Sequence, residues 1–169
     1  PPNPTREGYT FQFWSTSEDG STGAYDFSKP VTSDLVLYGI WKGKTVDYVV
    51  VYNFEKANIP GDAGISPDNY QFSEQKTLSA VAGTTVSAAS LYAAGKLTPS
   101  SGTDLAKYGY FAFGDSSTIS GNGSTVLNVY YKRTMYTVQF DLNSSGKWMT
   151  FNGVMYNNGS TKYSFPAKY

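Results

Sequence analysis

Histidine and cysteine are both missing from the 169 residues. Without histidine there is no Ser–His or Cys–His nucleophile pair and no histidine-ligated zinc. Without cysteine no disulfide stiffens the chain, so each folding unit must rely on packing, which does not exclude secretion. Charge is scarce as well. Lys plus Arg balances Asp plus Glu at 13 each, and only 15% of residues are charged. That leaves no basic field to attract nucleic acid or anionic lipid. No run of about 18 apolar residues exists, so nothing here inserts in a membrane as a helix. No signal peptide is visible, and the chain opens on Pro1-Pro2-Asn3-Pro4 without an initiator methionine. It reads as an excised fragment, with export signals and any wall anchor outside it.

What is abundant is aromatic. Fifteen tyrosines bring the aromatic share to 17%, and with Thr, Ser, Gly and Asn they suit exposed, pleated surfaces. The strongest local signal is a pair of seams. Thr125–Tyr131 is rich in β-branched and aromatic residues and follows the turn dipeptide Asn122-Gly123. Tyr136, Val138 and Phe140 then alternate with polar residues, the period of a half-buried strand, with only Lys132 to Met135 between the two strands. An earlier seam has the same form: a strand over Leu35–Trp41, a joint at Lys42–Thr45, and a strand over Val46–Phe54. Each seam marks the end of one small β module and the start of another.

In chain order, Gly8–Trp14 reads as a strand with Tyr9, Phe11 and Phe13 on one face, and Ser15–Gly23 as a polar loop. Val46–Phe54 puts Val46, Tyr48, Val50, Tyr52 and Phe54 on one face, while Val49 and Val51 argue for partial burial of the other. Tyr70–Val81 holds one strand or two short ones. The one helix runs from Ser87 to Ala94, with Thr84 or Thr85 as cap and Gly95 as its stop. Tyr108–Phe113 is a strand. After Tyr136–Leu142, the turns at Asn152-Gly153 and Asn157-Asn158-Gly159 separate strands near Lys147–Phe151, Val154–Tyr156 and Thr161–Phe165, a β-meander.

Two resemblances follow. Pro4-Thr5-Arg6-Glu7-Gly8-Tyr9-Thr10-Phe11, Trp14, Tyr25-Asp26-Phe27 and Val31–Trp41 together resemble the second half of a Listeria–Bacteroides repeat, the repeat also found as the B repeat of internalins. The family usually has Gly before the Trp, where this chain has Phe13, and its first strand has no counterpart here. Tyr48–Asn58, Ala82–Val86 and Gly123–Arg133 are similar to the mucin-binding-protein-like modules of Gram-positive surface proteins; Ile59–Asp68 and Ala88–Ala106 differ and look like insertions. Both resemblances imply the β-grasp fold, a mixed sheet with a helix or helical turn across one face. The expectation is therefore an α+β, mostly β chain of tandem small β-grasp-like modules in an elongated arrangement. Its divisions are 1–43, the C-terminal part of a repeat; 44–133, a mucin-binding-protein-like module; and 134–169, a meander that starts a further module. The function implied is a non-catalytic extracellular stalk or adhesin segment at a bacterial cell surface or wall, or alternatively a direct glycan- or mucin-binding module.

Motifs for chemistry are thin. Ser73-x-x-Lys76 and Ser144-x-x-Lys147 match a catalytic dyad spacing only as often as a Ser-rich chain does by chance. Gly121-x-Gly123 lacks a third glycine and a following helix, so it reads as a hairpin turn and not a phosphate cradle. Glu18, Asp19 and Asp26, like Asp62 and Asp68, fit no calcium loop, and no carboxylate pair is marked out for glycoside hydrolysis. Asn122, Asn143 and Asn158 match the N-glycosylation pattern, which a bacterial source would make irrelevant. No cofactor and no metal ligand set is expected. Trp14 and Trp41 read as core anchors of the first module and its seam. Trp148 with Tyr156 or Tyr163 is the candidate contact surface for a glycan, mucin or host surface protein. Open strand edges near residues 9–14 and after 136 suggest weak head-to-tail self-association.

Overall fold

Two antiparallel strands come first. In the computed structural model, which describes residues 1–57, 66–100, 108, 110–143, 149–151, 154–156 and 162–168, β1 (Tyr9–Ser15) pairs with β2 (Tyr38–Gly43). The register shifts between Phe11 and Phe13: Phe11 faces Trp41, but Phe13 faces Ile40. Neighbouring residues of one strand point to opposite faces, so this bulge moves Phe13 off the side that Phe11 occupies. The strict alternation read from the sequence is thereby corrected. Phe11 instead joins Trp14 and Trp41, with ring centroids 5.4 Å apart in each case. The expected strand at Leu35–Leu37 is also corrected. β1 offers no rung beyond the Ser15–Tyr38 pair, so residues 35–37 lie outside any strand and leave Leu35 and Val36 exposed.

The long strand β3 (Thr45–Glu55) is separated from β2 by one residue and is the backbone of the four-stranded sheet. Around it stand β4 (Tyr70–Val81), β6 (Tyr110–Gly114) and β8 (Val126–Lys132), in the order β4-β3-β8-β6. β3 pairs antiparallel with β4 and parallel with β8; β8 pairs antiparallel with β6. The sheet is therefore mixed, with a parallel pair at its centre. A small antiparallel pair, β5 (Thr85–Ser87) with β7 (Ser116–Thr118), lies between these strands in sequence.

Alternation decides which side of the sheet becomes core. Tyr48, Val50, Tyr52 and Phe54 of β3 are buried, as are Leu127 and Val129 of β8 and Tyr131 beside them. Full burial of a Val or Leu side chain is worth about 1.5–3 kcal/mol, so this row alone outweighs any single hydrogen bond in the unit. The short helix α1 (Ala88–Ala93) closes the row: Ala88 is fully buried, Leu91 packs on the cluster, and the Tyr92 ring stands edge-on to Tyr131. Its cap is Ser87, whose side chain accepts the Ser90 N–H, so the helix starts later than Thr84 or Thr85 would set it. Gly95 takes a positive φ of 68° just past its end. Residues 96–100 then run back over the sheet. Leu97 enters the core, its carbonyl accepts the Tyr131 hydroxyl at 2.8 Å, and Glu74 and Lys76 of β4 bond to Ser100 and to the Thr98 carbonyl. The opposite face is covered in part by Tyr70, Phe113 and Tyr130; Phe113 and Tyr130 stack at 4.2 Å.

Beyond β8, β9 (Met135–Asp141) pairs with β12 (Lys162–Lys168), and β10 (Met149–Phe151) pairs with β11 (Val154–Tyr156). The pairing is nested, one hairpin inside the span of another pair, where the sequence reading placed a meander. The turns expected at Asn152-Gly153 and Asn157-Asn158-Gly159 lie outside the described residues, and turn signals of that kind say nothing about the return of a distant strand to β9. As a whole the chain is mostly β.

Candidate functional site: the seams at Lys44 and Arg133

The joint expected over Lys42–Thr45 shrinks to Lys44 alone, because β2 continues to Gly43 and β3 starts at Thr45. Both backbone groups of Lys44 are used. Its N–H donates to the Gly8 carbonyl at 2.8 Å, and its carbonyl accepts the Ala82 N–H at 2.9 Å. One bond ties the joint to the start of β1, the other to the end of β4.

Glycines let the two sides touch backbone to backbone. A Cβ placed on Gly8 would lie 2.2 Å from the Gly121 Cα, and one on Gly121 would lie 2.1 Å from the Glu7 carbonyl oxygen. A Cβ on Gly43 would meet the Ala82 carbonyl oxygen at 2.2 Å, and one on Gly83 the Tyr9 hydroxyl at 2.8 Å. No side chain fits at the first three positions. Gly8 also takes a φ of +73°, which glycine alone adopts without penalty. The loops that receive the β1–β2 unit are themselves braced: Gly83 N–H donates to the Ile119 carbonyl at 2.8 Å, and Ile119 N–H returns to Thr84 at 2.9 Å. Ile119 is part of the central core. Arg6 lies over the Tyr9 ring at 4.0 Å, covering the same corner.

Gly121-x-Gly123 has a role the sequence did not suggest. It is a turn, with Gly123 at φ +73° and Asn122 Oδ1 accepting the Ser124 N–H. It joins β7 to β8, which lie in different sheets, so it is not a hairpin turn. It is instead the seat for residues 7 and 8. Spacing along the chain carries no mark of such a contact, because its partners are far apart in sequence.

The second joint is also shorter than expected, leaving Arg133 and Thr134 between β8 and β9. Arg133 is 7% exposed and Glu55, the last residue of β3, is 1% exposed. The Arg133 backbone N–H donates to Glu55 Oε2 at 2.9 Å, and its Nε donates to the Glu55 carbonyl at 3.0 Å. The guanidinium lies over Tyr108, whose ring stacks on Phe54 at 4.4 Å. A buried charge held this way locks the end of the sheet, and breaking such an arrangement from one side is strongly destabilising.

The chemistry-bearing residues are dispersed among structural duties. Asp19 accepts the Ser21 N–H, and Asp26 accepts from the Ser28 hydroxyl and N–H; these bonds hold both carboxyls below the usual carboxylate range. The Asp68 carbonyl accepts from Lys56 Nζ at 2.7 Å, and Asp62 lies outside the described residues. Lys76 of the first Ser-x-x-Lys match binds the Thr98 carbonyl, while Ser144 and Lys147 lie outside the described residues. Among the described residues no three carboxylates gather to hold a metal ion. Trp148 of the candidate contact surface also lies outside them. Tyr156 stands on β11 opposite Met149, and Tyr163 on β12 opposite Phe140, so backbone pairing does not join the two tyrosines. Trp14 and Trp41 share the Phe11 cluster, with a cleft of about 500 Å³ on one side of Trp41 bounded by Arg6, Tyr9, Glu18, Asp19 and Tyr38.

These features define a class before a family: a mostly β chain whose strands β2 and β3 meet at a one-residue joint. Residues 1–40 match the family model of the Listeria-Bacteroides repeat domain. That repeat is non-catalytic and typical of extracellular surface proteins, so the match supports a repeat-containing surface protein. No curated protein and no solved structure matches the chain. No helix among the described residues is long and apolar enough to cross a membrane.

Proposed function

We propose that this chain is a non-catalytic spacer within a Gram-positive extracellular adhesin or stalk, built of tandem β-grasp-like modules divided near residues 43 and 133. The order β4-β3-β8-β6, with a parallel middle pair and a helix between the two outer pairs in sequence, supports the β-grasp assignment. One observation carries the spacer reading. The joint at Lys44 has no spare residue and no free backbone group, and bare glycine contacts flank it. A joint of that kind transmits orientation; a flexible linker does not. Nitrogen-15 relaxation across the full chain tests it. Residues 9–15 and 45–55 are expected to tumble with one common diffusion tensor, and separate correlation times would refute the reading.

Direct glycan or mucin binding is the second reading. The half-buried aromatics Tyr9 and Trp41, beside Glu18 and Asp19 in the cleft described above, favour a sugar-sized contact there. A glycan array that gives no saturable binding removes it. Weak head-to-tail pairing is supported by the exposed Tyr136, Val138 and Phe140 of β9, and sedimentation at high concentration showing only monomer would remove that.

A further inference from the structure

The chain enters the central sheet at Lys44, before the first residue of β3, and leaves it at Arg133, after the last residue of β8. These two strands are adjacent and parallel, with Val49 opposite Val126 and Phe54 opposite Tyr131. In a parallel pair, the start of one strand and the end of the other lie at opposite ends of the ladder. Tension along the chain therefore pulls β3 backwards from its start and β8 forwards from its end. The rungs between them are loaded in shear and share the load. Were entry and exit at the same end, the rungs would open one at a time.

We propose that the central sheet is a tension-bearing clamp, its β3–β8 ladder loaded in shear by the chain's own connections. Its biological use rests on the spacer reading, but its geometry does not. Three observations carry it. The loaded pair is internal, flanked by β4 and β6, so the strands under load are not edge strands. Its core side is closed by Tyr48, Val50, Tyr52, Leu127 and Val129, which keeps water from replacing broken rungs. At the exit, the two Arg133 bonds to Glu55 join the end of β3 to the residue after β8, across the plane of sliding. Charge-assisted hydrogen bonds of this kind are about twice as strong as neutral ones.

Force spectroscopy on the full chain tests the proposal by comparing two pulling directions on one fold. The sequence has no cysteine, so introduced thiols give unique handles. Lys44→Cys with Tyr136→Cys loads the ladder in shear; Lys44→Cys with Thr84→Cys peels β3 from β4 starting at the Thr45–Val81 pair. At equal pulling speed and equal thermal midpoint, the shear pair should rupture at a severalfold higher force, since forced unfolding follows the unfolding barrier along the pulled direction. That event should release about 300 Å of contour. Equal forces in the two directions, or a weaker shear response, overturn the clamp. Arg133→Lys should lower the shear force and leave the peeling force unchanged; an equal fall in both directions assigns Arg133 to general stability and overturns its part. Failure of the spacer reading would appear in the relaxation data and leave the force ratio intact, so the two can fail separately.

Discussion

Gly8 concentrates the residue-scale argument, because it combines a left-handed φ with a contact that leaves no room for a methyl group. Gly23 has nearly the same φ, +76°, and nothing within 4 Å of its would-be Cβ. The pair separates backbone strain from contact. Gly23→Ala should destabilise by about 1–2 kcal/mol, the cost of a left-handed L-residue. Gly8→Ala should cost more, and hydrogen exchange should show faster opening of β1 and β2 while β3 and β8 stay protected. Equal effects at both positions would show that the Gly8–Gly121 approach contributes nothing. A second residue-scale prediction concerns Tyr48, Tyr52 and Tyr131. Burial raises all three hydroxyls above their ordinary value; Glu74 and then Tyr48 add to the effect on Tyr52, as do Tyr52 and Tyr92 on Tyr131. Raised folded values favour the neutral fold. The stabilisation is therefore complete below the unfolded tyrosine value near about 10 and is lost as pH rises towards the folded values. The unfolding free energy read from urea titrations should fall across that window by up to about 1.4 kcal/mol per pH unit for each tyrosine, and a free energy that stays flat there would place these hydroxyls in contact with water. Tyrosine abundance was plain in the sequence. Which tyrosines are buried was plain only for Tyr48 and Tyr52, through alternation in β3.

At the scale of elements, period-2 patterning was a reliable guide wherever a strand is buried on one face. Val46–Phe54 and Thr125–Tyr131 became β3 and β8 with shifts of a residue or so at their ends. It failed where pairing, not composition, decides. Leu35–Leu37 has strand-like residues and no partner beside it among the described strands, and the bulge after Phe11 reverses a face that alternation alone had assigned. The helix was legible with Gly95 as its stop, but its cap was misplaced because Thr85 is drawn into the small β5–β7 ladder, leaving Ser87 at the helix start. The same logic gives a test. Leu127 is fully buried and its neighbour Val126 is 48% exposed. Leu127→Ala should therefore cost about 2–5 kcal/mol, and Val126→Ala within about 0.5 kcal/mol, both read from urea unfolding. Comparable losses at both positions would mean that the outer face of β8 is covered as tightly as the inner one.

For the molecule as a whole, the proposed spacer role rests on there being no slack at Lys44. The sequence located the joint and its shortness, but it overestimated its length, because residues 42, 43 and 45 carry no composition that distinguishes a strand end from a linker. Nor did it reveal that the loops at Ala82–Gly83 and Gly121 form the seat, since those contacts join segments around residues 8, 43, 82 and 121. Slack can be restored without touching either core by inserting Gly-Ser-Gly after Lys44. The insertion uncouples the Gly8 and Ala82 bonds that Lys44 now makes in opposite directions, while the Tyr48–Phe54 row and its partners on β8 stay as they are. Spin labels at Lys29→Cys and Gln75→Cys, both exposed positions on either side of the joint, should then change from a single narrow distance to a broad distribution. The thermal midpoint of the central sheet should stay where it was, because long flexible insertions at a surface joint add only a small closure entropy. A distribution that stays narrow after insertion would mean that the glycine contacts at Gly8, Gly43 and Gly121 hold the units together without the short joint, so that stiffness lies in the docked surfaces. A broad distribution already present in the unaltered chain would mean that those contacts open in solution, and the spacer reading would fall with them.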